Sequence, residues 1–360
     1  MKLLLSHNFM ILIALLGSSG CQHIGPRTIM DDRIPYNEAI SATWKQQTLL
    51  NLVRLRYGDL PEFVEVSSVV NGYEHGYAGN GTIGADIFPN NTLLNVLNFG
   101  VGGSRSMIDR PTISYKPQGS SEFTRNMTNP IPPVSILNLI ESCAPADVLL
   151  ALTVESINGV RNRGFSGEVQ KGDPEFQEAI QSLRKAQDSG YASFRVLQGA
   201  DPKTPDVLMG IRDKDIPPIL AEELDQIRTL LRLDPDVHEF RIVFGMLPQK
   251  NDEIAFRTRN VIRIMNYLSL NVQIPPCHLA DGRAPDFGDL SSSTAPPLTV
   301  YSGCEPPCDP YSAIQYQDHW FWIDQRDFNS KRSMGYLKIL LALADTSQND
   351  PTPALTIRAN

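Results

Sequence analysis

The 360-residue chain is 41% hydrophobic and 20% charged, the balance of a folded globular protein and not of a disordered one. Its 32 basic and 40 acidic residues give a formal net charge of −8 with no basic tail, which excludes the electrostatic footprint of a nucleic-acid binder or of a protein drawn to anionic lipid heads. The length allows two domains or one large one.

The chain opens with MKLLLSHNFMILIALLGSSGCQ: Lys2 as a short positive segment, an apolar run over 9–16, then Gly17, Ser18, Ser19 and Gly20 leading to Cys21. This is the layout of a secretory signal peptide, and its apolar part is too short to cross a bilayer as a helix. With a cysteine directly after the small residues, the segment resembles a bacterial lipoprotein signal, although Ser18 stands where that pattern has Leu. The resemblance covers residues 1–22 only. It implies cleavage of 1–20, a lipid on Cys21 and a membrane tether through that lipid. Gln22, where an Asp would mark retention at the inner membrane, implies an outer-membrane protein facing the periplasm. Two or three acyl chains, at about 0.8 kcal/mol per buried methylene, hold a protein to a membrane where one does not.

Residues 21–35 carry Gly25, Pro26 and Pro35 and no periodicity, which predicts an irregular lipidated tether. Asn37 can cap a helix over 38–57, in which Ile40, Trp44, Leu49, Leu52 and Val53 keep to one side before Gly58 ends it. From 61 to 115, β-branched runs are broken by Asn71-Gly72, Gly79-Asn80-Gly81 and Asn90-Asn91, the pattern of an antiparallel meander of short strands. A helical middle follows, with Pro145 starting a helix that runs over 148–157 and stops at Asn158-Gly159. The polar stretch 161–172 is a loop or joint between a first part, 36–160, and a second, 173–360. In the second part helices and strands interleave, with strands at 191–197, 207–211 and 319–323, helices around 219–231 and 331–344, a long Pro/Gly/Ser-rich loop over 271–318 and a last strand near 355–357. The fold class expected is α+β.

Catalytic motifs are scarce. Ser182-Leu183-Arg184-Lys185 matches SxxK without the SDN or KTG that accompany it, and GxSxG and HExxH are absent. Gly100-Val101-Gly102-Gly103 lacks the third glycine of a dinucleotide loop. Strand alternation puts Trp320 and Trp322 on one face and His319, Phe321 and Ile323 on the other. That arrangement suits a sugar-stacking platform, or more simply a strand buried on both sides. Arg257, Arg259 and Arg263 are expected on one helix, where Arg259 and Arg263 at i,i+4 offer an anion site or a solvated salt-bridge face. Asp324 and Asp327 are a pair of acids without a partner that would make them catalytic.

Four cysteines remain besides Cys21. Pro306-Pro307 favours extended backbone, which would set the Cα atoms of Cys304 and Cys308 roughly 12 Å apart, too far for a disulfide. The same extended spacer, and oxidation, count against a metal set of Cys277, His278, Cys304 and Cys308, so the sequence points to a bridge from Cys277 to Cys304 or Cys308, a free buried Cys143, and no metal or cofactor. The function expected is binding or assembly in the cell envelope beside an envelope protein partner. A periplasm-facing hydrolase or glycan-modifying enzyme around Asp324, Asp327 or His319, and a ligand-binding lipoprotein, are the alternatives. Cys21→Ser should leave the membrane fraction or accumulate as precursor, and wild-type protein should take up a clickable fatty acid. A wild-type protein that takes up none is no lipoprotein.

Overall fold

The computed structural model describes residues 25–86, 96–142, 144–165, 167–197, 206–211, 217–288 and 295–344. Cys21, Cys143 and the expected strand near 355–357 lie outside them. Helices and strands are mixed along the chain, and the class is α+β.

Helix α1 runs Gly25–Tyr57 with Pro35 inside it. Residues 25–35 are thus helical and not the irregular tether that Gly25, Pro26 and Pro35 suggest. Pro35 removes one ladder bond from the interior of a helix 33 residues long, and the remaining bonds carry the element. The two halves of α1 differ. Ile29, Met30 and Ile34 are exposed, whereas Thr48, Leu49, Asn51, Leu52 and Val53 are buried. The first half is a stalk and the second is core.

After Gly58 the chain doubles back along α1. Asn51 clasps the backbone of Glu62 from both sides: its Nδ2 donates to the Glu62 carbonyl at 2.7 Å and its Oδ1 accepts from the Glu62 amide at 3.0 Å. The Val64 amide then donates to Gln47 Oε1 at 2.9 Å. Strand β1 (Val64–Asp86) therefore sets out toward the N-terminal end of α1, the direction in which the stalk leaves the body. It pairs with β2 (Val96–Pro117) in one antiparallel ladder, Val64 opposite Pro117 through to Asp86 opposite Val96, with a single irregularity between Val66 and Ser68. The expected meander of short strands is thus one long ribbon. Asn71-Gly72 and Gly79-Asn80-Gly81 lie within its strands, opposite Pro111-Arg110 and Gly103-Gly102-Val101.

Helices α2 (Ser121–Thr128), α3 (Pro133–Glu141) and α4 (Ala146–Thr153) follow. The helix expected to reach residue 157 ends at Thr153 and becomes β3 (Val154–Ile157), which returns through Asn158-Gly159 to β4 (Val160–Arg161). Both turn residues have positive φ, 48° and 82°, so Asn158-Gly159 is a hairpin turn and not a helix stop. Asn158 also fixes its surroundings: its Nδ2 donates to the Leu231 carbonyl at 2.8 Å and its Oδ1 accepts from the Ala255 amide at 2.7 Å.

A small hairpin, β5 (Gly164–Phe165) with β6 (Val169–Gln170), precedes helix α5 (Pro174–Ser189). Strands β7 (Ala192–Leu197) and β8 (Asp206–Ile211), helix α6 (Pro218–Leu230), and strands β9 (Glu239–Phe244) and β10 (Glu253–Thr258) complete a six-stranded sheet of order β4-β3-β10-β9-β8-β7. Only the β9–β10 pair is parallel. Strands from either side of the 161–172 stretch are hydrogen-bonded into this one sheet. Phe176, Ile180, Leu183, Ile227, Phe240 and Phe256 fill the space between it and its helices.

Helix α7 (Val261–Ser269), capped by Asn260 Oδ1 accepting from the Arg263 amide, packs against α1. The stretch 271–318 is less irregular than its composition suggests. It holds α8 (Pro276–Ala280), β11 (Tyr301–Gly303) and β12 (Pro310–Tyr316). With β13 (His319–Asp324) these strands form a sheet of order β11-β13-β12, and α9 (Phe328–Ala344) follows. Replacing Asn51 by Ala removes both bonds of the clasp at the ribbon's root and should cost about 1–2 kcal/mol. An unchanged urea midpoint would show that the clasp contributes nothing.

Candidate functional site

Three long-range returns of the chain meet at the end of the β11-β13-β12 sheet. Tyr57 closes α1, Cys277 and His278 lie on the one-turn helix that Pro275-Pro276 starts, and His319 opens β13. Tyr57 Oη lies 2.6 Å from His278 Nδ1 across 221 residues of sequence. The His278 and His319 rings meet edge-on at 4.4 Å, and Tyr57 makes edge contacts with Tyr316 and Phe321. Cys277 Sγ and Cys304 Sγ each lie 3.7 Å from His319 Nε2. Cys277, His278 and His319 each place one ligand-type atom within 4.8 Å of the other two.

Burial sets the protonation of this cluster. His278 is 1% exposed; desolvation, then His319 and Arg283, lower its pKa and keep it neutral. Desolvation pushes Tyr57 up to about 12, so its hydroxyl keeps its proton. The Tyr316 hydroxyl donates to Asp59. Cys277, Cys304 and Cys308 are free, exposed thiols in the structure. Sharing His319, Cys277 and Cys304 stand no farther apart than twice 3.7 Å. Cys308 lies beyond Pro306-Pro307 in the connection that returns from β11 to the start of β12.

The other expected site residues have structural partners. The three arginines do not share a helix: Arg257 is in β10, Arg259 follows it, and Arg263 is in α7. Arg259 is 2% exposed. Its Nη1 donates to the carbonyls of Ala151 at 2.9 Å and Leu152 at 3.0 Å, its Nη2 to that of Arg163, and its guanidinium lies over the Tyr267 ring. Burial lowers its pKa to about 10, so the group remains charged at neutral pH. Arg259 therefore offers nothing to a surface anion, whereas Arg257 and Arg263 line an open cleft with Arg161 and Lys171. Arg263 pairs with Glu155 at 2.6 Å, and Arg257 joins the same carboxylate at 3.4 Å.

Asp324 accepts from the Arg326 amide and guanidinium, which hold its pKa below the ordinary carboxylate range. Asp327 caps α9, its carboxylate accepting from the Ser330 amide at 3.0 Å and hydroxyl at 2.5 Å. The two acids do not converge on a common point as an acid–base pair must. Strand β13 is central in its sheet but is not buried on both sides. Phe321 and Ile323 are fully buried, whereas Trp320 and Trp322 are half-buried, Trp322 stacking on Tyr301 at 6.0 Å.

An open polar cleft of about 700 Å³ lies among α4, α5 and α9. Asp147, Asn162, Arg163 and Arg332 line it, and one buried side-chain atom of each (Oδ1, Oδ1, Nη2 and Nε) has no hydrogen-bond partner within the protein.

Comparison of the chain with protein-family models, with curated proteins and with solved structures returned no match.

The sequence brought Cys277, His278 and Cys304 together as a metal set only to set them aside, and missed Tyr57 and His319 as members, since nothing local ties them to that set. Adjacent Cys277-His278, placed by Pro276 at the first turn of a helix, was the one readable signal. Arg259→Met should cost at least about 3 kcal/mol by leaving buried carbonyls unmet, whereas Arg263→Met, losing a part-exposed pair, should cost under about 1 kcal/mol. Equal losses in chemical denaturation would contradict this division.

Proposed function

We propose that this protein is a lipid-anchored envelope protein that acts by assembly: its β1–β2 ribbon enters the outer membrane and pairs with the ribbons of other copies to close a β-barrel. The single observation that carries this reading is the register of the distal ribbon. Residues 76–85 and 96–104 contain no Asp, Glu, Lys, Arg or His, and a strand crossing a bilayer takes about 9–11 residues. Within them Gly81 is opposite Val101, Ile83 opposite Phe99 and Ala85 opposite Leu97. The alternate pairs are Asn80 with Gly102, Thr82 with Gly100 and Gly84 with Asn98. By strand alternation the first pairs form an apolar set, and the alternate pairs, with Val96 opposite Asp86 at their end, form a mostly small and polar set. That is the lipid-out, water-in division of a membrane β-barrel strand.

Reach supports the same reading. From Gln47 to Gly25 the stalk of α1 rises about 33 Å at 1.5 Å per residue, and ends four residues from Cys21. From Val64 to His75 the ribbon covers about 36 Å at roughly 3.3 Å per residue. The root of the ribbon runs alongside α1 toward the stalk, and a ribbon that keeps this heading brings its uncharged segment near the level at which the lipid would enter the membrane. The ribbon is a two-stranded sheet by itself among the described strands, and each strand keeps one unpaired edge. Hydrocarbon does not tolerate such edges, which makes closure with further ribbons necessary.

The test sets one face against the other. Ile83→Arg or Phe99→Arg should abolish a detergent-stable oligomer, with about 2–4 kcal/mol lost per charge near the midplane, while Thr82→Arg and Asn98→Arg keep it. Wild-type protein extracted only as a monomer, or equal tolerance of charge on the two faces, would refute the assembly.

A further inference from the structure

We infer that Cys277, Cys304, His319 and His278 form a binding site for a thiophilic d¹⁰ cation of the zinc class. The distances fit the ion. Tetrahedral zinc holds sulfur at about 2.3 Å and imidazole nitrogen at about 2.0–2.1 Å, which sets the edge between one sulfur and one nitrogen at about 3.6 Å. Both sulfurs stand 3.7 Å from His319 Nε2. Cys277, His278 and His319 place their ligand atoms within 4.8 Å of one another, the spacing of ligands around a common centre, and Cys304 joins this set through its contact with His319.

The hydrogen bonds outside the cluster aim the rings inward. His319 Nδ1 faces the Gln317 carbonyl at 3.4 Å, which leaves Nε2 with its lone pair toward the two thiols. His278 Nδ1 is engaged by Tyr57 Oη at 2.6 Å, and its Nε2 is the nitrogen left for an ion. Metal-bound histidines are held in this manner, the second ring nitrogen donating to a carbonyl or other oxygen. Arg283 Nη1 now lies 3.4 Å from His278 Nε2, a long contact, and the same guanidinium already pairs with Asp281 at 3.0 Å. Arg283 is therefore free to turn to Asp281 when a cation enters. On binding, each thiol releases its proton to solvent and becomes a thiolate, and the two negative charges neutralise the dication. Cys304 follows β11 in an exposed bend, so its sulfur can close onto the other three ligands. Two thiolates and two imidazoles, without carboxylate, select zinc or copper(I) over magnesium or calcium.

The site would tie the end of α1, through Tyr57 and His278, to α8, β11 and β13. It is independent of the ribbon, so either proposal can fail alone. The full-length protein, in detergent with reductant, is stripped with chelator and titrated with Co²⁺ and with Zn²⁺ against a chromophoric chelator. One ion per chain is expected, with a thiolate charge-transfer band, intense tetrahedral d–d bands for cobalt and a higher Tm for zinc. Cys304→Ser, an exposed change that leaves the core intact, and His319→Gln should weaken binding by more than about 100-fold. Tyr57→Phe should weaken it by about 10-fold through its hold on His278, and Cys308→Ser should leave it unchanged. The proposal is overturned if the charge-transfer band is missing, or if Cys304→Ser binds as wild type. It is also overturned if peptide mapping of protein taken from the envelope shows Cys277 joined to Cys304 as a disulfide.

Discussion

The Arg259 guanidinium is the fixed point of the body. Its backbone amide donates to the Thr153 carbonyl at 2.7 Å, its carbonyl accepts from the Ile131 amide at 3.1 Å, and its side chain holds three more carbonyls at the end of α4 and at Arg163. A buried charge is expensive, and here backbone dipoles and the Tyr267 ring offset the cost. One side chain thus fixes where α4 stops, where β3 begins and how α7 leaves β10. Asn158 does the equivalent on the far side of β3, joining the β3–β4 turn to Leu231 and Ala255.

The rigidity of this body gives direction to what projects from it. Buried Asn51 holds Glu62, and through it the root of the ribbon, against the inner half of α1. Phe63 packs edge-on against Phe123 at 5.6 Å, adding an aromatic brace on the other side. Stalk and ribbon are therefore set by one short piece of helix, and neither can turn without the other. A hairpin of two strands alone is marginal in water, and this one gains its order at the root from α1 and α2.

Legibility in the sequence followed the reach of each interaction. Asp173-Pro174 marks a helix start by local chemistry, and the apolar period over 219–231 marks a helix by its buried face; α5 and α6 lie there. Strands β7, β8 and β13 were readable from alternation that a buried face imposes. The ribbon was not, because its Asn-Gly steps carry the same letters as turns. Arg259 was misplaced by a spacing rule that holds only inside one helix. The Cys/His cluster was beyond local reading, with Tyr57 and His278 joined across 221 residues and His319 placed by the pairing of β13 with β11 and β12.

Each copy brings two antiparallel strands to the proposed barrel, never one. The strand number of any closed ring would then be even whatever the copy number, and ring circumference would grow in fixed steps of about 12–14 Å, two strand spacings divided by the cosine of the strand tilt. Pore width becomes a counting property of the assembly, set by how many lipid-tethered bodies fit side by side beneath it. The size of the body, and not the chemistry of the ribbon, would choose the diameter of the channel.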